Sequence, residues 1–178
     1  MTTYIALLRG INLGKRQVKS DQLKSIFANL GFENIRTVIA SGNVIFSAKE
    51  KDAGKVTKKI EKGLKDELGF DVIVFLRSEA ELEKILDGNP FKDAEKGTTY
   101  ISFLLGVPGE TAVKEIEART SDTEIFKFRG REMYLLFHVL MSESVFFKKN
   151  DCEKVLGLLA TNRNLNTVNK IAAKMREK

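Results

Sequence analysis

Three short segments hold most of the side chains that hydrophobic packing does not explain. They are predicted to be loops beside strand or helix ends, over residues 9–15, 41–43 and 161–167. Amide, hydroxyl and guanidinium donors in such segments suit an anionic or strongly polar ligand. The predicted ligand-binding residues are Arg9, Asn12, Lys15, Ser41, Asn43, Arg163 and Asn164. None of the segments has the spacing of an established catalytic motif, so they indicate a binding site and leave its ligand unidentified.

The first segment departs from the phosphate-binding P-loop. Only three residues separate Gly10 from Gly14, where that motif has four, and Arg16 stands at the position of its magnesium-binding hydroxyl. A nucleotide triphosphatase is therefore not predicted. Two interpretations stay open, namely a weak anion nest at residues 14–16 and an ordinary turn whose cations are solvated.

The third segment precedes the last predicted helix, which begins near Asn164 or Asn166. Orphan N–H groups and the helix dipole favour an anion at such an N-terminus, and Arg163 adds positive charge. A ligand site and a structural polar junction both account for the polar side chains here. Arg9 and Asn12 can join them only if distant segments meet in space.

Few residues of this chain could carry ordinary catalysis. His138 is the only histidine and lies in or at the end of an apolar predicted strand. Cys152 is the only cysteine, and the charges of Asp151 and Glu153 are expected to raise its pKa and weaken it as a nucleophile. No His/Cys cluster has metal-ligand spacing. An enzyme is neither identified nor excluded, and no cofactor is identified.

The composition is that of an ordinary globular protein. Of 178 residues, 43% are hydrophobic and 30% charged, which is typical of soluble domains. A single cysteine excludes an intramolecular disulfide and favours a reducing compartment. No signal peptide and no apolar run of about 18 residues is found, so we expect a cytoplasmic protein without a membrane partner. The net charge of +6 makes an acidic partner more plausible, although the charges are mixed along the chain.

The hydrophobic pattern predicts an α+β fold in two halves, residues 1–90 and 98–178. In the first half, strands at 3–9, 35–40, 44–48 and 70–77 alternate with helices, one of them at 53–68, in the ferredoxin-like βαββαβ order. Ser78 and Glu81 form a predicted capping box for a further helix. The second half repeats the order β-α-β-β-α, with a hairpin over 124–137 and helices to the end. We find no residue-level repeat between the halves.

The first strand also predicts how the halves are arranged. Residues 3–9 are apolar on both faces, so both faces of its antiparallel sheet should be covered. Two helices cover only one face. We therefore expect the second half to pack on the other.

Several motifs together resemble one protein family. They are residues 7–14, Leu30-Gly31-Phe32, Arg36-Thr37, residues 41–46, Asn89-Pro90-Phe91, and parts of 161–168. The chain resembles the bacterial domain-of-unknown-function 1697 family, although Leu165 stands where members often carry Trp. The resemblance implies an α+β fold with a ferredoxin-like first part and a bacterial origin. It implies no activity, because the family is uncharacterised.

The function favoured by these residues is a binding module for a phosphate-bearing or other anionic small ligand. The alternatives are a nucleic-acid-binding protein, an enzyme of unidentified reaction type and a protein-interaction module. The RNA-recognition motif has the same element order, but the strand at 43–47 lacks that motif's basic residue, glycines and second aromatic. Tyr4 and Phe46 are therefore expected in the core. The oligomeric state is not predicted.

Overall fold

The computed structural model describes residues 1–12, 14, 17–39, 42–94 and 97–177. The chain forms two compact units, defined here as unit 1 (residues 1–84 and 169–178) and unit 2 (residues 85–168). Each unit contains one four-stranded antiparallel sheet. The predicted α+β class with antiparallel sheets is confirmed. Among the described residues, no helix has both the length and the apolar character needed to cross a membrane.

Unit 1 has the element order predicted for the first half. Its elements are β1 (Thr2–Arg9), α1 (Ser20–Asn29), β2 (Glu33–Thr37), β3 (Asn43–Ala48), α2 (Ala53–Leu68), β4 (Ile73–Ser78), the start of α3 (Glu79–Asp87) and residues 169–176 of the last helix. The strand order is β2-β3-β1-β4, with every neighbouring pair antiparallel. This order is consistent with the predicted ferredoxin-like arrangement.

Unit 2 contains a strand that the sequence did not predict. Its elements are the end of α3, β5 (Thr98–Leu104), α4 (Glu110–Glu117), β6 (Glu124–Arg129), β7 (Glu132–Phe137), α5 (Val145–Lys149), α6 (Cys152–Leu156), β8 (Ala160–Asn164) and the start of α7 (Leu165–Arg176). The strand order is β6-β7-β5-β8. The expectation of a loop at residues 161–164 was wrong, because these polar residues become a strand by pairing with β5.

The two sheets have matching strand orders and also matching registers. In each sheet an arginine of the strand that comes last in the chain lies opposite an isoleucine of the strand that comes first. Seven residues after each arginine the sequence is Lys-Ile. The pairs are Arg77 with Ile5 and Arg163 with Ile101. Both first strands carry Thr-Tyr-Ile at the matching positions, starting at Thr3 and Thr99. These identities are few and scattered, so they are visible only when the registers of the two sheets are aligned.

Both faces of β1 are buried over residues 4–8, as its apolar pattern predicted. Tyr4, Ala6 and Leu8 belong to a core that also contains the apolar residues of α1 and α2. On the opposite face, Ile5 and Leu7 have no exposed surface. The aromatic ring of Tyr4 is therefore unavailable for stacking on a base, which is consistent with its predicted place in the core.

The bounds of α2 agree with the predicted 53–68. The side chain of Asp52 accepts hydrogen bonds from Gly54 N (2.9 Å) and Lys55 N (3.2 Å), which caps the first turn. At the other end Gly69 has φ +77° and donates its N–H to Lys65 O at 2.9 Å. This left-handed cap ends the helix.

Replacing Gly69 tests this helix end. Gly69→Ala is expected to lower the free energy of unfolding by about 1–2 kcal/mol, because left-handed backbone is unfavourable for L residues. A Cβ at this position would have no atom within 4 Å, so the loss would come from the backbone. Denaturant unfolding measures it.

Gly106→Ala is the matched control. Its φ lies outside the left-handed range and its Cβ would lie 3.4 Å from Leu158 Cδ2, an ordinary contact. The control should change stability by no more than about 0.5 kcal/mol. Equal losses in the two variants would contradict the assignment of the Gly69 cap.

Candidate functional site

The first two predicted loop segments meet at one end of the unit 1 sheet. Leu7 of β1 is paired with Asn43 at the start of β3, and Leu8 N donates to Gly42 O at 2.7 Å. Arg9 is half-buried and Asn12 is exposed. Lys15 and Ser41 lie outside the described residues. We refer to this region, residues 9–12, 14 and 42–43, as the loop end of unit 1.

Both asparagines of the loop end make hydrogen bonds that hold its backbone. Asn12 Oδ1 accepts from Val18 N at 2.9 Å. Asn43 is buried, and its Nδ2 donates to Val38 O at 3.0 Å and Ile39 O at 3.4 Å. Ile39 has φ +46°, which is rare for a β-branched residue. Asn43 therefore stabilises a strained connection between β2 and β3, a structural role that the sequence did not indicate.

Arg163 and Asn164 lie in unit 2, at the end of β8. Arg163 Nη1 donates to Thr161 Oγ1 and to Asn162 O, both at 2.8 Å, and burial lowers the pKa of Arg163 to about 10. Asn164 Oδ1 accepts from Asn166 N at 2.9 Å. The last helix begins at Leu165, next to the predicted start. A ligand role for these two residues stays a prediction.

A groove of about 610 Å³ lies at the other end of the unit 1 sheet. Small-molecule sites usually have volumes of about 300–1,000 Å³. The groove is lined by residues of β1, β2, β3, α3 and α7, namely Thr3, Asn34, Ile35, Arg36, Ser47, Glu79, Met175, Arg176 and Glu177. None of them was predicted as a site residue. We call this feature the Arg36 groove.

A β-bulge brings Arg36 to this groove. Glu33 is paired with Ser47 and Arg36 with Ile45, so β2 has one more residue than β3 between the two pairs. Without it, Arg36 would be paired with Val44, whose side chain lies in the core with α1 and α2. Directly paired residues point to the same face. The extra residue therefore places the guanidinium on the opposite face.

Asn34 accommodates the bulge in two ways. Its φ is +53°, and asparagine tolerates left-handed backbone better than most residues. Its Nδ2 also donates to Ser47 Oγ at 3.2 Å. The amide therefore ties the bulge to β3.

The guanidinium of Arg36 has unused donors. Its Nη1 donates to Glu177 O at 2.8 Å. Its Nε is buried and has no hydrogen-bond partner, and within the described ranges no carboxylate forms an ion pair with it. With Nη1 occupied, Nε and Nη2 form the edge that can donate to two oxygens of one oxyanion. The groove thus contains a cation that no carboxylate of the described residues neutralises.

The other charged residues of the groove differ in their partners. Arg176 Nε lies 3.4 Å from Glu83 Oε1, and the carboxylate of Glu177 lies 2.7 Å from Lys174 Nζ. Glu79, the first residue of α3, is half-buried and forms no hydrogen bond or ion pair within the part of the chain that the structure describes. Arg36 and Glu79 are therefore the two charges of the groove without a protein counter-charge in these residues.

Comparison with known proteins places the chain in a family. A family model described as "Protein of unknown function (DUF1697)" matches residues 1–134. This chain belongs to that family. The match confirms the resemblance drawn from the motifs. The family match includes Arg36, Glu79 and the loop end of unit 1, whereas Arg163 and Asn164 lie beyond it.

A solved structure has the same fold. It is a conserved bacterial protein from Streptococcus pneumoniae, with a TM-score of 0.80 and 24% sequence identity over 99% of both chains. At this identity the likeness shows the fold alone. No curated protein matches the chain.

Cys152 and His138 are the single cysteine and histidine of the chain, and both residue types often act in catalysis. The pKa of the Cys152 thiol is raised to about 12, chiefly by burial; the charge of Arg119 opposes this shift, and the charges of Asp151 and Glu153 add to it. The predicted direction is confirmed, but burial is the main cause. His138 directly follows β7. In the described ranges, no cluster of three or more His, Cys, Asp or Glu residues could hold a metal ion.

The role of Asn43 can be tested by removing its amide. Asn43→Ala is expected to lower the free energy of unfolding by about 1–3 kcal/mol, because Val38 O and Ile39 O each lose a donor. Thermal or denaturant unfolding measures the loss. Asn162→Ala, at an exposed position of β8, should change stability by less than about 0.5 kcal/mol. A neutral Asn43→Ala variant would refute the structural role.

Cys152 should react slowly in the folded protein. At pH 8 iodoacetamide is expected to label it at least about a hundredfold more slowly than in denaturant, because a raised pKa leaves little thiolate. The thiol's contribution to stability is complete below its ordinary pKa of 9.0 and is lost as the pH rises towards about 12. Cys152→Ser provides the unlabelled control. Rapid labelling of the native protein would contradict the burial.

Proposed function

We propose that the protein is a binding module for a phosphate-bearing or other anionic small ligand, which it binds in the Arg36 groove. The observation that carries this proposal is the guanidinium of Arg36, whose buried Nε has no partner among the described residues. An oxyanion that accepts from Nη2, and that displaces the atoms covering Nε, would supply that partner. Hydrogen bonds to charged groups contribute about 1.5–3 kcal/mol each.

The form of the groove favours a small ligand over nucleic acid. Binding to a nucleic-acid backbone relies on several cations that contact successive phosphates. In the Arg36 groove, Arg36 is the one lining cation without an ion pair among the described residues, which suits a single anionic group. Among the described residues, the carboxylate of Glu79 makes no hydrogen bond to the hydroxyl of Thr3 or Ser47, so no activated nucleophile supports an enzyme there.

The loop end of unit 1 is a second proposed position for an anion. Arg9, Asn12 and Asn43 lie there, and Lys15 and Ser41 belong to the same two segments. Arg163 and Asn164 stay predicted donors within unit 2, at the end of β8. The hydrogen bonds of Asn12 and Asn43 support the backbone of this region, so the Arg36 groove is the preferred position.

The proposal can be tested with Arg36→Gln. We expect thermal-shift screening of nucleotides, phosphosugars and carboxylic acids to find a ligand that raises the Tm of the original protein. At a hundred times its Kd a ligand stabilises by about 2.7 kcal/mol, or about 5–10 °C for a chain of this size. Arg36→Gln should lose this shift, because the glutamine cannot neutralise an anion.

Two matched variants sharpen the result. Arg129→Gln makes the same charge change at an exposed position of β6 in unit 2 and should keep the full shift. Arg9→Gln distinguishes the two proposed positions. If this variant loses the ligand-induced Tm shift while Arg36→Gln keeps it, the site lies at the loop end of unit 1. Binding that all three variants retain would refute both positions.

A further inference from the structure

We infer that the ligand of the Arg36 groove is a small zwitterion of the amino-acid or short-peptide class. Its anionic group would bind the guanidinium of Arg36, and its ammonium group would bind the carboxylate of Glu79. The inference rests on the proposed function and goes beyond it by assigning a cationic group to the ligand. It also assigns Glu79 as a specificity-determining residue.

The first argument is the pairing of charges around the groove. Arg176 has Glu83 as its partner, and Glu177 has Lys174. Arg36 and Glu79 have opposite charges and line the same groove, yet they form no ion pair with each other and none with another described residue. A ligand with one charge of each sign would give Arg36 and Glu79 an ion-pair partner each.

The second argument is selectivity against simple anions. A phosphate or dicarboxylate bound to Arg36 would lie in the same groove as the Glu79 carboxylate, and like charges repel. An ammonium group on the ligand changes that repulsion into attraction. Discrimination of this kind, by an unfavourable charge for the wrong ligand, is a general route to specificity.

The remaining lining residues fit the same ligand class. Thr3, Asn34 and Ser47 supply hydroxyl and amide groups, which can bind peptide or carboxyl oxygens. Ile35 and Met175 supply an apolar part, which a ligand side chain would contact. A few placed polar groups beside apolar surface are usual for small-molecule sites.

The test compares three classes of probe by NMR titration of the full chain. The zwitterions are the common amino acids, γ-aminobutyrate and glycylglycine; the anions are succinate and inorganic phosphate; the cation is butylamine. The Nε–H resonance of Arg36, assigned by its loss in Arg36→Lys, reports on the groove. We expect at least one zwitterion to shift this resonance and to bind about tenfold more tightly than succinate.

Glu79→Gln then tests the assigned ammonium partner. It should weaken zwitterion binding by about tenfold or more and leave succinate binding unchanged or tighter, because one charge-assisted contact is lost. Glu110→Gln is the matched control, since Glu110 is also the first residue of a helix, α4 in unit 2. It should bind every probe as the original protein does, and unchanged Tm values would show that both variants are folded.

The outcomes separate the two proposals. If succinate or phosphate shifts the Arg36 resonance while the zwitterions do not, or if Glu79→Gln binds zwitterions unchanged, the zwitterion inference is overturned and anion binding stands. If no probe of any class shifts that resonance, both are overturned. A zwitterion shift that depends on both Arg36 and Glu79 supports both.

Discussion

One extra residue in β2 determines which face of the unit 1 sheet carries a positive charge. With regular pairing, the side chain of Arg36 would point into the core formed with α1 and α2. A charged group there would be strongly unfavourable without a partner. The bulge removes that conflict and places the guanidinium in the groove. Asn34, through its left-handed backbone and its bond to Ser47, makes the bulge locally favourable.

The groove also depends on residues that are remote in the chain. Arg36 belongs to β2, but its hydrogen-bond acceptor Glu177 O follows α7 and lies 141 positions later. Unit 1 therefore consists of two segments of chain, and the second supplies Met175, Arg176 and Glu177 to the groove. The end of α7 and the following residue line one side of the groove, and Glu177 O positions Arg36. Strands of the sheet line the bottom of the groove.

The features that the two units share lie in their sheets. The strand order, the Thr-Tyr-Ile sequence and the arginine opposite isoleucine occur in both sheets. The loops after the first strands differ, since Arg9 in unit 1 corresponds to Leu105 in unit 2. Leu105 and the nearby Val107 are exposed. Loops carry different chemistry on similar scaffolds because packing constrains them less.

The sequence by itself determined the elements whose signals are local. Helix α2 was predicted with its bounds because its apolar residues recur at steps of four and Gly69 marks its end. The Ser78–Glu81 capping box was predicted from two residues three positions apart, and its bonds measure 2.7 Å and 3.3 Å between backbone N and side-chain O. The family was likewise evident from short contiguous motifs. Such signals involve neighbouring residues, so they can be identified without knowing the fold.

Only the tertiary structure decided the rest. The strand character of β8 comes from pairing with β5, and the structural role of Asn43 comes from the turn that it closes. The Arg36 groove needs a bulge, a second strand and a helix from the far end of the chain. Hydrogen bonds between distant segments depend on register and on which faces meet, and neither is encoded in the spacing of nearby residues.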